Sequence, residues 1–179
     1  MKKAIIFLTD GFEEMETIVP ADILRRAGVE VNLVSLTGNS EVTGSRGVKV
    51  VADSLFAGNA AYADMLILPG GLGAAKYIEN KALTDALLEH NSHGSHIAAI
   101  CAAPVTLGKL GLLKDKAATC YPAMTDRLIA AEIKSESVVT DGNITTACAA
   151  GASAEFGLVL AEILVGSEEA RRVKDAMFL

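Results

Sequence analysis

Apolar runs of strand length alternate with longer segments of helical period from one end of the chain to the other, and no other feature limits the fold as much. Lys3–Leu8, Glu30–Leu36, Met65–Leu68 and Ile97–Ile100 read as strands, with short later ones near Ala117–Thr119, Val138–Thr140 and Ile144–Ala147. Between them Glu13–Ala27, Thr84–His90, a segment from about Pro104, Ser153–Val165 and Ser167–Ala176 read as helices. The early strands are apolar at successive positions, the pattern of strands covered on both faces. Covered strands alternating with helices predict a doubly wound, mostly parallel α/β sheet with helices on both faces. Gly28 sits where a left-handed cap would end the first helix, and Asp141–Gly142–Asn143 marks a hairpin turn. Gly47–Ala52 reads as a short strand in a hairpin or at an edge. With 179 residues and no repeat, low-complexity tract or linker, the chain is expected to form a single domain over residues 1–179.

Hydrophobic residues are 51% of the chain and charged residues 21%, a balance that separates it from disordered sequences. With no Trp and 4% aromatics, the core must be built from Ala, Val, Ile and Leu. A net charge of −6 argues against nucleic-acid partners, whose phosphates need clustered Lys and Arg. No apolar run approaches the ~20 residues of a membrane helix, so no membrane partner is expected. Met1–Lys2–Lys3 followed by Ala4–Leu8 begins like a secretion signal, but the run is short and an acidic loop follows it, so a first strand fits better. Cys101, Cys120 and Cys148 are odd in number and widely spaced, without a CxxC pair or a metal-finger spacing. They are expected to be reduced thiols in a cytoplasmic protein.

The chemistry concentrates at Cys101. In His96–Ile97–Ala98–Ala99–Ile100–Cys101–Ala102–Ala103–Pro104 an apolar strand ends at a thiol and a helical pattern with an early proline begins. Ala99 and Ala103, two positions away on either side, are small enough to clear a sharp strand-to-helix turn, the architecture of a nucleophile elbow. A helix start aims unpaired N–H groups at the sulfur and favours thiolate. Taken alone, the stretch also suits a buried core cysteine. Topology favours the reactive reading. In open α/β sheets ligands bind beyond the carboxyl ends of the strands, where Thr9–Glu16, Pro69–Gly73 and the Cys101 turn can converge.

Gly70 and Gly71 let the backbone approach a ligand, and the Gly71 N–H suits an oxyanion, although Pro69–Gly70 is also an ordinary turn. Gly70–Gly71–Leu72–Gly73 is not a dinucleotide fingerprint. His90, His93 and His96 recur at spacings of three, but no acid or cysteine completes a metal set. They are expected to be surface histidines, and neither a metal nor an organic cofactor is expected. Arg46 reads as an exposed ion-pairing residue, or as a contact for an anionic substrate or partner subunit. Cys120 and Cys148 read as small core residues, or as a resolving thiol should either lie near Cys101.

Three motifs occur in order: Glu13–Glu14–Met15–Glu16–Thr17, Leu68–Pro69–Gly70–Gly71 and Ala98–Ala99–Ile100–Cys101–Ala102–Ala103–Pro104. With Arg25–Arg26–Ala27–Gly28 and Ser45–Arg46–Gly47–Val48 they resemble the PfpI/ThiJ superfamily over nearly the whole chain, and within it the small branch that contains the parkinsonism-associated deglycase. The resemblance implies a flavodoxin-like fold, a homodimer, an oxidation-sensitive nucleophile at Cys101, and a buried Glu16 that hydrogen-bonds its sulfur. It also implies that the N–H groups of Gly71 and Ala102 stabilise an oxyanion or a sulfinate. A carboxyl so placed should have a raised pKa and exchange a proton with the sulfur. Glu13 and Glu14 are expected to stay solvated first-turn acids.

Two positions depart from the family pattern. Tyr121 precedes Pro122 where many relatives carry a histidine, which leaves a hydrogen-bond donor but no imidazole base. Cys148 stands within Thr145–Gly151 where an arginine is usual. Ala102, in addition, replaces the histidine that protease-like members place directly after the cysteine, so a Cys–His protease is not expected. The resemblance then implies a cofactor-free glyoxalase or deglycase acting on a small carbonyl substrate, a 2-oxoaldehyde such as methylglyoxal or its adduct. The alternatives are an oxidative-stress sensor or protective protein that works through oxidation of Cys101, and a holdase-like binding protein in which the thiol is incidental.

Overall fold

The computed structural model describes residues 1–179. Its strands are β1 (Lys3–Leu8), β2 (Glu30–Ser35), β3 (Glu41–Thr43), β4 (Lys49–Val51), β5 (Ser54–Leu55), β6 (Met65–Leu68), β7 (His96–Ile100), β8 (Ala117–Ala118), β9 (Glu132–Ile133), β10 (Val138–Asp141) and β11 (Ile144–Ala147). The α-helices are α1 (Glu14–Arg26), α2 (Lys81–Ser92), α3 (Pro104–Lys109), α4 (Ser153–Val165) and α5 (Ser167–Ala176). Seven strands form one sheet in the order β10-β11-β7-β6-β1-β2-β5. All its pairings are parallel except β10 with β11, the hairpin expected at Asp141–Asn143.

The apolar runs explain the layering. Along β1 successive side chains enter opposite layers: Ala4, Ile6 and Leu8 meet residues of α1, α4 and α5, while Ile5 and Phe7 meet residues of α2 and α3. The two layers hold 25 and 22 buried residues, so helices cover both faces of the sheet as a doubly wound fold requires. Because β1, β6 and β7 are parallel neighbours, their carboxyl ends share one edge. The first helix ends as expected, with Gly28 at φ +77° and the Val29 N–H reaching back to the Leu24 carbonyl.

Three local differences matter. α2 is longer than its apolar pattern because the Asn80 side chain accepts the Leu83 N–H at 3.0 Å and starts the helix early. Ala117–Ala118 pairs with Glu132–Ile133 in a separate two-stranded ladder and does not join the main sheet. Short 3₁₀ turns at Leu72–Glu79, Pro122–Arg127 and Ala150–Ala152, which carry no 3.6-residue period to betray them, border the edge where the site lies. Gly47–Ala52 contributes β4 to a hairpin with β3, as expected. No helix is long and apolar enough to cross a membrane.

Candidate active site

At the end of β7 the chain turns on Cys101 with φ +64°, a left-handed conformation that non-glycine residues rarely adopt. Two backbone hydrogen bonds hold it there. The Cys101 N–H donates to the Ala147 carbonyl at 2.8 Å, and the Tyr121 N–H donates to the Cys101 carbonyl at 2.8 Å. Ala99 and Ala103 are both fully buried against this turn's surroundings, so larger side chains would have no room. The elbow read from the sequence is present, and so is its strain.

Glu16 arrives from the opposite side. Glu13 caps α1, its carboxylate accepting the Glu16 N–H at 2.8 Å, and this fixes the first turn so that the Glu16 side chain is fully buried. The Gly70 N–H donates to Glu16 Oε2 at 2.8 Å, while Oε1 is buried without a hydrogen-bond partner, and the Cys101 thiol is the titratable neighbour that bears most on the carboxyl. A Cβ on Gly70 would stand 2.5 Å from Glu16 Oε2 and 2.7 Å from Cys101 Cβ. The missing side chain is what lets acid and sulfur meet. Gly71, at φ +93°, and Ala102 border the same cavity as the sulfur, and their backbone N–H groups favour its charged form.

Burial raises the Glu16 carboxyl to about 7, against the lowering influence of the adjacent Cys101 thiol and the Gly70 N–H. The thiol does not follow the expected direction. Burial first, then the charge of Glu16, push Cys101 up to about 12, opposed by the Gly71 and Ala102 N–H groups. The helix that was to favour thiolate, α3, is only six residues long, and burial outweighs it. Acid and thiol therefore act as a unit, which releases a first proton near 7 and a second near 12. Between those limits the pair holds one proton and one negative charge, and a thiolate forms when that proton sits on Glu16.

A cavity of about 360 Å³ opens over the sulfur, bordered by Glu13, Arg46, Gly71, Tyr121 and Met124 among others. A larger cleft of about 520 Å³ between α4 and α5 has no cysteine or histidine, and its polar lining is Glu155, Glu162, Ser167, Arg171 and Lys174. Of the residues singled out from the sequence, Cys101, Glu16, Gly71, Ala102 and Tyr121 meet at the smaller cavity. Gly70 serves differently from Gly71, because its N–H is engaged by Glu16. Tyr121 is 44% exposed, and its backbone, not its hydroxyl, buttresses the elbow.

Several expectations need correcting. Glu13 and Glu14 are not merely solvated: Glu13 caps the helix, and Glu14 Oε1 accepts the Arg46 N–H at 2.6 Å, pinning the Gly44–Gly47 loop beside the cavity. The ion pair expected of Arg46 does not form, and the residue borders the cavity instead. The histidines are not all on the surface. His90 is buried, and His96 is partly buried, lowered to about 4 by burial and bonded through Nε2 to Thr145 Oγ1 at 2.9 Å. No group of three or more His, Cys, Asp or Glu side chains is arranged to hold a metal ion.

Two supporting residues escaped the sequence reading. The Tyr77 hydroxyl, fully buried, donates to the Pro69 carbonyl at 2.9 Å and anchors the Pro69–Gly70–Gly71 turn. Ser45 Oγ donates to the Gly11 carbonyl at 2.6 Å and accepts the Leu72 N–H at 3.2 Å, tying three loops together. Nothing in the sequence separates Tyr77 from the other two tyrosines, and Ser45 stands only as the first residue of the Ser45–Arg46–Gly47–Val48 motif, with no sign of the loops it joins.

Fold and site together define a class: doubly wound α/β proteins in which a strained cysteine elbow is backed by a buried carboxylic acid. The chain belongs to the DJ-1/PfpI family, whose model matches residues 2–163. It is 39% identical to protein dj-1beta of Drosophila melanogaster over 99% of this chain and 97% of that protein. The crystal structure of the same fly protein superposes with a TM-score of 0.95, covering 99% of this chain and 98% of that one. A Caenorhabditis elegans protein named glutathione-independent glyoxalase DJR-1.2 is 31% identical over 94% of this chain and 91% of its own length. The structure of Toxoplasma gondii DJ-1, oxidized, is 34% identical with a TM-score of 0.95, covering 99% of this chain and 98% of that chain.

Proposed function

We propose that this protein converts 2-oxoaldehydes such as methylglyoxal, or their adducts, to hydroxy acids through Cys101. The observation that carries the reading is a fully buried Glu16 carboxyl, one oxygen without a hydrogen-bond partner, set beside the Cys101 elbow across Gly70, with the Gly71 and Ala102 backbone at the same cavity. Transfer of the thiol proton to Glu16 frees the thiolate, which attacks the aldehyde carbon and forms a hemithioacetal. Glu16, once deprotonated, removes the hydrogen on that carbon and returns it to the neighbouring carbon. The internal redox change leaves a Cys101 thioester of the 2-hydroxy acid. Water cleaves the thioester and restores the thiol. The Gly71 and Ala102 N–H groups face the oxyanions of both additions. Oxidation of one carbon balances reduction of the next, so the sequence consumes only water.

The worm relative named as a glyoxalase supports this substrate class. C101A and C101S should abolish lactate formation from methylglyoxal; wild-type rates in both variants would end the proposal.

A second reading rests on the same N–H pair, which suits a sulfinate oxygen as well as an oxyanion, and on the oxidized Toxoplasma relative. In it Cys101 is a redox-responsive thiol, and mass spectrometry after mild peroxide should find oxygen at Cys101 before any methionine. The proposed assembly is a homodimer in which a second copy covers Met15 and Ile18, half-exposed on one face of α1. Sedimentation analysis tests it, a monomer being the adverse result. The proposed setting is the cytoplasm, where three free thiols stay reduced.

A further inference from the structure

The ladder between β7 and β11 sets two cysteines side by side. The Ile97 N–H donates to the Asn143 carbonyl at 2.9 Å, and Ile97 is in register with Ile144, the next residue. The Cys101 N–H donates to the Ala147 carbonyl at 2.8 Å, one step beyond the Ile100–Ala147 pair, so the same rule aligns Cys101 with Cys148. Cys148 directly follows β11, its backbone N–H donating to the Ser137 carbonyl at 2.9 Å on the other side. Aligned residues on neighbouring strands lie about 4.8 Å apart, within the roughly 4.4–6.8 Å between Cα atoms that a disulfide spans.

Side-chain placement agrees. Ile97 and Ala99 enter one layer and Ala98 and Ile100 the other, so simple alternation would send residue 101 with Ile97. The left-handed turn breaks that alternation at Cys101, Cys148 just past the end of β11 likewise leaves the alternation set by Ile144 and Ala147, and both cysteines pack against the layer built on α1 and α4. Cys120 belongs to the opposite layer and donates its thiol to the Tyr121 carbonyl at 3.4 Å.

We infer that Cys148 is the resolving thiol for oxidised Cys101. The Cys101 thiolate attacks a peroxide O–O bond, gains hydroxyl as a sulfenic acid, and releases water or alcohol. The Cys148 sulfur then attacks the sulfenic sulfur; an S–S bond forms, the S–O bond breaks, and the leaving oxygen departs as water with the Cys148 proton. Two equivalents of an external thiol such as glutathione reduce the disulfide and are themselves oxidised to a disulfide. The device diverts the sulfenate from irreversible sulfinate. It rests on the reactivity of Cys101 proposed above, and not on turnover of oxoaldehydes.

The three cysteines fall in separate tryptic peptides, residues 82–109, 117–127 and 135–171. The full chain is treated with three equivalents of hydrogen peroxide, alkylated and digested without reductant. The expected product joins 82–109 to 135–171, lowers the intact mass by two hydrogens, and disappears with dithiothreitol. C148A and C148S should lose the link and accumulate Cys101 sulfinate, while C120A should form it as the wild type does. Equal sulfinate in wild type and C148A, a link to 117–127, or fully alkylatable Cys148 after oxidation would each overturn the inference. Methylglyoxal turnover by the reduced protein is read from the same preparation. Turnover without a link sinks this inference alone, and a link without turnover sinks the glyoxalase reading alone.

Discussion

Cys101 and Cys120 lie close together, since Tyr121, the residue after Cys120, donates its N–H to the Cys101 carbonyl, yet their surroundings have opposite consequences. Cys120 is buried and raised to about 11 by burial alone, with its thiol proton given to a backbone carbonyl. Cys101 is raised further, to about 12, but the Gly71 and Ala102 N–H groups favour its charged form and an acid beside it can take its proton. Burial by itself makes an inert thiol. What distinguishes the elbow is a preorganised place for the proton and for the negative charge that develops during attack.

The largest effect expected from breaking this contrast is at the sulfur itself. C101A should lower methylglyoxal turnover by roughly a thousandfold or more, to background, whereas C120A should stay within about twofold. Lactate assays on both variants check this, and an equal loss in C120A would erase the distinction. Next comes the acid. E16Q keeps an acceptor for the Gly70 N–H but cannot take the proton, and should cost about 10²–10⁴-fold in turnover. Alkylation of Cys101 sharpens the point: in the wild type its rate should rise through about pH 7, where the pair loses its first proton, and E16Q should lose that inflection. A smaller loss, about 10²-fold, is expected of G70A, whose new Cβ would push Glu16 and Cys101 apart while circular dichroism shows the fold retained.

The sequence carried the elbow because small residues and a thiol at a strand end leave a local signature, as Ala99, Cys101 and Ala103 do. It carried the layers because β1 and β7 are apolar on both faces. Glu16 was legible only through resemblance: three acids in one helical turn look alike until Glu13 caps the helix and turns one of them inward. Tyr77 and Ser45 act through contacts separated by 8 and 34 residues, and no local pattern encodes which carbonyl a distant hydroxyl will meet. The raised thiol was missed because a helix start was weighed without the burial that accompanies it.

The smallest expected effect concerns stability and again turns on Glu16. An unfolded glutamate ionises near 4.5, but the folded carboxyl holds its proton to about 7. Between these values the folded state binds more protons than the unfolded one, so stability falls as pH rises and the whole penalty is present above the folded pKa. The separation corresponds to at most about 3 kcal/mol. E16Q, uncharged throughout, should match the wild type at about pH 4 and exceed its stability by up to about 3 kcal/mol at about pH 8, in urea melts followed by circular dichroism. Equal stability at both pH values would mean that the carboxyl is solvated in solution, and the contrast with Cys120 would then rest on the two N–H groups alone. A gain at high pH together with lost turnover would show that the fold tolerates a destabilising buried acid because that acid is where the thiol's proton goes.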